Sequence, residues 1–183
     1  MVISEPILMT TRYNTETWLQ YMNWRKKYNL NDSYYYSCPF PISNTIRIGS
    51  TLYILEMHNS LNKIMGMGVV LLKEQDMKRY KIYDNDNFNR FHYHSTLYIN
   101  RDMLSKETLL LENGIWISIL ELLELVCFKG KRHSKRHMNI AKLPLIYFQG
   151  SIMNKVMDSL KQIVNKKNMK KKPNKKVYER WNE

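Results

Sequence analysis

The stretch TIRIGSTLYILEMHNSLNKIMGMGVVLLKE (45–74) decides how this chain folds. Two apolar runs flank a short polar turn from His58 to Asn62, which is the pattern of a β-hairpin. Gly49 stands where a turn or bulge leads into the first of these strands. Gly66 and Gly68 alternate within the second, which signals a bend or a close approach of another segment.

Upstream, PILMTTRYN (6–14) reads as a strand that ends at a helix cap, and NTETWLQYMNWRKKYNL (14–30) as the helix it caps. Trp18, Tyr21, Met22 and Arg25 recur on one face of that helix at three- and four-residue steps. Residues 31–44, broken by Pro39 and Pro41, read as a loop. Downstream, 78–90 reads as an edge strand or loop and RFHYHSTLYINRDML (90–104) as a long strand. Its Phe91, Tyr93, Ser95, Leu97 and Ile99 take one side, and His92, His94, Thr96 and Tyr98 the other. NGIWISILELLELVCF (113–128) favours a helix, and PLIYFQG (144–150) a short strand. Ser151 then caps a helix with Val156, Leu160, Ile163 and Val164 on one stripe. Four to six strands interspersed with three helices predict an α+β fold with a small, strongly curved mixed sheet or open barrel. The expected domain covers 1–165, and 166–183 a lysine-rich tail, with seven lysines in the eleven residues 166–176.

Charge is segregated along the chain. Residues 1–127 hold 13 Lys+Arg against 13 Asp+Glu, so the whole formal charge of +13 lies in residues 128–183. Such asymmetry builds a directional field that attracts polyanions, nucleic acid first, with an acidic protein or a membrane surface as the alternatives. Only Cys38 and Cys127 occur, far apart, which predicts free thiols in a reducing, intracellular, cytoplasmic setting. No secretory leader and no apolar run of about 20 residues is expected, hence no membrane span.

In the hairpin, Ile48, Gly49, Ser50, Leu52, Tyr53 and Ile54, followed by Ile64, Gly66, Gly68 and Val69, resemble the central hairpin of the PUA-like superfamily, which includes EVE, ASCH and YTH domains. The resemblance spans about residues 5–150, and Ser50 departs from it, standing where many relatives carry Asp. It implies a small curved barrel that binds RNA or DNA, often with a modified or flipped base in an aromatic pocket. The basic stretch FKGKRHSKRH (128–137) is no general feature of that group. With the AT-rich style of the sequence, it is similar to small proteins of large cytoplasmic DNA viruses.

The expected contact residues follow from chemistry. Lys129, Lys131, Arg132, His133, Lys135, Arg136 and His137 crowd into nine positions and would neutralise phosphates without reading sequence. Arg12, Tyr13 and Asn14 lie at a strand-to-helix junction, where helix N–H groups face anions. Trp18, with Trp24, Trp116 and Tyr34–Tyr36, supplies candidate stacking rings, although a Trp beside Leu19 and Met22 is more often core. An enzyme reading also exists: HNSL (58–61) and HSTL (94–97) match the paired motif of 2H phosphoesterases, in which His58 and His94 would act as acid and base. His92 and His94, joined by His133 or His137, lack the Cys and carboxylate company of a zinc site, so no metal, small-molecule cofactor or catalytic residue is expected.

Overall fold

The structure is a computed structural model that describes residues 5–75, 78–129, 134–136, 139–144, 148 and 151–170. Its centre is the hairpin formed by Thr51–His58 (β3) and Lys63–Leu71 (β4). Ile7–Tyr13 (β1) lies parallel to β3, with Ile7 opposite Leu52 and Tyr13 opposite His58. Tyr34–Cys38 (β2), Phe91–Asn100 (β5) and Ala141–Lys142 (β8) complete a strongly curled, mixed six-stranded sheet in the order β2-β5-β4-β3-β1-β8. The helix Thr15–Lys27 (α1) follows β1 directly. The Asn14 side chain accepts from the Thr17 N–H while the Thr17 hydroxyl takes the Asn14 N–H, a complete capping box. Beyond the sheet lie Arg101–Lys106 (α2), the two-stranded pair Thr108–Leu110 (β6) and Trp116–Ser118 (β7), Ile119–Phe128 (α3) and Ile152–Lys170 (α4).

Several expectations need correction. The segment 31–44 is not all loop, because Tyr34–Cys38 joins the sheet edge against β5, and the strand ends just before Pro39. Residues 113–128 are not one helix: the β-branched start forms β7, and Ser118 then caps α3 through the Glu121 N–H. The long strand stops at Asn100, whose side chain caps α2, whereas the segment 78–90 takes its loop alternative, with a 3-10 turn at Asp86–Asn89. The expected strand at 144–150 lies mostly outside the described residues. A two-residue strand sits earlier, at Ala141–Lys142. Helix α4 continues through Lys170, and the rest of the expected tail is outside the described residues. Eight strands and four α-helices are therefore present among the described residues.

The sidedness of β5 also changes. Val69 faces Leu97 but Val70 faces Ser95, so Thr96 is an extra, unpaired residue on β5. A one-residue slip exchanges faces. Tyr98 therefore joins Tyr93 on one side of the sheet, while Leu97 and Ile99 turn to the other.

Those two sides are chemically unlike. One packs Leu55, Met57, Ile64, Met67 and Ile99 against Leu123 of α3 and Leu160 of α4, an aliphatic core in which each buried Leu or Ile contributes about 1.5–3 kcal/mol. The other packs Tyr21 of α1 into a cluster with Tyr13, Tyr34, Tyr36, Tyr83 and Tyr93. The two β4 glycines make room for this second layer. A Cβ at Gly68 would come within 2.7 Å of the Tyr36 ring and 2.8 Å of Ser95 Oγ, and one at Gly66 within 2.6 Å of Tyr98 Cζ. The close approach expected from their spacing is therefore a tyrosine ring lying on each glycine. Cys38 and Cys127 are buried free thiols, each pushed up to about 12 chiefly by burial.

Candidate nucleic-acid interface

The basic segment begins where α3 ends. Lys129 caps the helix by donating its N–H to the Leu125 carbonyl, at 3.0 Å. Ser134 is clamped: its N–H donates to the Cys127 carbonyl at 3.0 Å, and its own carbonyl accepts from Arg12 Nε. Arg12 also donates through Nη1 to the Asn139 carbonyl at 3.1 Å and through Nη2 to Thr10 Oγ1 at 2.8 Å. Asn59, in the β3–β4 turn, donates Nδ2–H to the Lys135 carbonyl at 3.2 Å. Helix α3, β1 and the β3–β4 turn thus hold the backbone of Ser134 and Lys135 at one end of the sheet. Arg12 acts as a clamp on that backbone, with its guanidinium already committed to three acceptors.

The side chains behave differently from the backbone. Lys129 and Arg136 are exposed and form no ion pair among the described residues. Lys135 is half-buried, its Nζ 5.8 Å from the Phe128 ring centroid. Lys131, Arg132, His133 and His137 lie outside the described residues.

At the adjoining β1–α1 junction, the expected contact residues separate. Tyr13 is core: its ring stacks on Tyr21 at 5.0 Å, and burial raises its phenol well above the ordinary value. Asn14 is occupied with its cap. Trp18 is half-buried, edge-on to Tyr13 at 5.1 Å and 6.0 Å from the His58 ring. His58 Nδ1 and Asn59 Oδ1, neighbours in sequence, are buried without a hydrogen-bond partner among the described residues. They lie beside the clamped segment, and a buried polar atom left unpaired carries a desolvation cost of about 1–3 kcal/mol.

The two histidines of the enzyme reading are not brought together. His58 ends β3 beside α1, whereas His94 pairs with Tyr35 at the other end, near the level of Leu71 and Thr51. Seven strand residues separate those levels, roughly 23 Å at about 3.3 Å per residue, too far for one acid–base pair. His94 Nε2 lies 2.7 Å from Ser33 Oγ, and His92 Nε2 accepts from the Tyr80 N–H at 3.1 Å. Among the described residues, no group of three or more His, Cys, Asp or Glu side chains could hold a metal ion, and no helix is long and apolar enough to cross a membrane.

A second polar constellation, absent from the sequence reading, fills the interior of the tyrosine side. Glu56 is 0% exposed, and its Oε1 accepts from Tyr36 at 2.9 Å and from Tyr21 and Tyr34 at 3.2 Å each. The Arg25 guanidinium lies 4.0 Å from the Tyr34 ring centroid and 4.5 Å from that of Tyr98, and donates to the carbonyls of Leu30 and Asn31. Burial pushes the Glu56 carboxyl above its ordinary range, opposed by Arg25 and the three hydroxyls. Tyr34 and Tyr36 are consumed here and offer no wall to solvent, while Trp116 stands 67% exposed on β7. One signal was present in the sequence: a single carboxylate on the Leu52–Ile54–Glu56 face of an otherwise apolar strand.

The chain matches no protein-family model, and no curated protein and no solved structure matches it.

Proposed function

We propose that this protein binds nucleic acid, RNA in preference to DNA, through the basic segment 129–137 at the β1–α1 end of the sheet. The observation that carries the reading is the contrast between a clamped backbone and solvent-facing cations. Arg12 and Asn59 fix the carbonyls of Ser134 and Lys135, while Lys129 and Arg136 remain exposed with no carboxylate paired to them among the described residues. Cations positioned in advance lose less entropy when they meet phosphates, and they release counterions as they do so. The likeness of the β3–β4 hairpin to PUA-like domains supports the same reading, as does the concentration of the charge in residues 128–183. In this account the lysines from 166 onward add affinity without choosing a site.

Titration of fluorescent RNA and DNA oligonucleotides at two salt concentrations tests the proposal. Binding that weakens steeply as salt rises is expected. A folded protein that binds neither polymer at the lower salt concentration overturns it.

A further inference from the structure

The opposite end of the sheet carries a surface that the charge count conceals, because the first 127 residues are neutral as a whole. There Tyr80 stacks on Tyr35 with ring centroids 4.2 Å apart and planes 27° apart, and Tyr35 in turn lies 4.9 Å from His94. Behind this row, Tyr80 meets Trp24 edge-on at 6.2 Å and His92 at 5.3 Å. The two tyrosines are half-buried and His94 is exposed, so the row runs from the interior to the surface.

Cations frame it. Lys78, Arg79 and Lys81 flank Tyr80 in sequence, and all three are exposed, as is Lys73. The segment that bears them is fastened to β5. The Gln75 side chain donates to the His92 carbonyl at 3.1 Å and accepts from its N–H at 3.0 Å, and the Tyr80 N–H donates to His92 Nε2. Between segment and strand lies a cleft of about 220 Å³, lined by Tyr35, Lys73, Gln75, His92, His94 and Thr96, with Glu74 contributing a carboxylate.

An aromatic row ending in solvent, with exposed cations beside Tyr80 in the chain and Lys73 on the cleft, matches the demands of an unpaired nucleotide. Stacking needs an exposed base face, which a duplex does not present along its length, and it tolerates any base. We propose that this face is a second contact surface for single-stranded nucleic acid, with a base stacking on His94 and phosphates lying along Lys73, Lys78, Arg79 and Lys81. The inference rests on the nucleic-acid reading above and adds the strandedness of the ligand. Helix α1 joins the two ends, with Trp18 beside His58 at one and Trp24 beside Tyr80 at the other.

The test compares wild type, His94→Ala and His94→Phe against a single-stranded RNA oligonucleotide and a blunt RNA duplex, with each protein's melting temperature recorded. Both variants lose the Ser33 hydrogen bond, but only His94→Phe keeps a stacking ring. The proposal expects His94→Ala to bind the single strand about tenfold more weakly, His94→Phe to recover most of that loss, and duplex affinity to stay unchanged in both. Equal single-strand affinity in all three proteins overturns this inference while leaving the basic segment as the binding site. Equal weakening in both variants overturns it too, because the loss would then follow the Ser33 bond. Absence of binding by wild type overturns the nucleic-acid reading itself.

Discussion

Positive charge is handled in opposite ways at two places in this molecule. Arg25 is buried, stacked on tyrosine rings, hydrogen-bonded to two carbonyls and accompanied by Glu56 in the same cluster. In the basic segment the carbonyls of Ser134 and Lys135 are held, while Lys129 and Arg136 are exposed. A cation enclosed by tyrosine rings and backbone carbonyls organises the fold and is closed to a partner. A cation at a fixed position without such an enclosure contributes little to stability and remains available to phosphate.

The comparison breaks first at Arg25. Replacing it with Met removes the cation facing Glu56 and both carbonyl bonds. With two hydrogen bonds from a charged donor and the ring contacts gone, the expected loss is about 3–5 kcal/mol, a large part of a domain's usual ~5–15 kcal/mol. Urea denaturation checks this, and a loss under about 1 kcal/mol would mean that the cluster does not depend on the cation.

Gly68→Ala comes next. The new Cβ meets the Tyr36 ring and Ser95 Oγ, and relief requires a tyrosine bonded to Glu56 to move. A destabilisation of about 1–3 kcal/mol is expected in the same assay.

A smaller effect appears in the pH profile. Glu56, facing Arg25, Tyr21, Tyr34 and Tyr36, has a carboxyl raised by burial, so the folded state holds its proton more tightly than the unfolded chain does. That contribution is full below the unfolded value of about 4.3 and declines as pH climbs toward the folded value. Glu56→Gln keeps an acceptor for the hydroxyls and removes the titration. Its melting temperature should therefore vary less with pH than wild type's above about pH 4, and parallel profiles would place the pH dependence elsewhere.

The sequence was informative wherever a period repeated. The hairpin follows from two apolar runs around a polar turn, and α1 and α4 from three- and four-residue steps, because such patterns need no knowledge of a partner. Strand β2 was missed because Tyr34, Tyr35 and Tyr36 are all amphipathic and leave no contrast between faces. β7, three residues long, was absorbed into the helix that follows it. The exchange of faces at Thr96 depends on which residues of β4 lie opposite, and no local pattern encodes that. For the candidate site, the cations were plain from composition, but their anchorage was not. Arg12 stands more than 120 positions from Ser134, and its guanidinium clasps that segment instead of opening to a ligand.

The measurement that tests the central claim most directly is the salt dependence of RNA binding by wild type and by a Lys129→Ala/Arg136→Ala double variant. Both side chains are exposed, so the variant should unfold within about 0.5 kcal/mol of wild type. The account predicts weaker binding to all sequences alike, and a log–log salt slope shallower by about 0.7 for each lost contact on a single strand. An unchanged slope and affinity in a normally folded variant would contradict it, and the segment would then be a solvated turn held to the sheet for structural reasons alone.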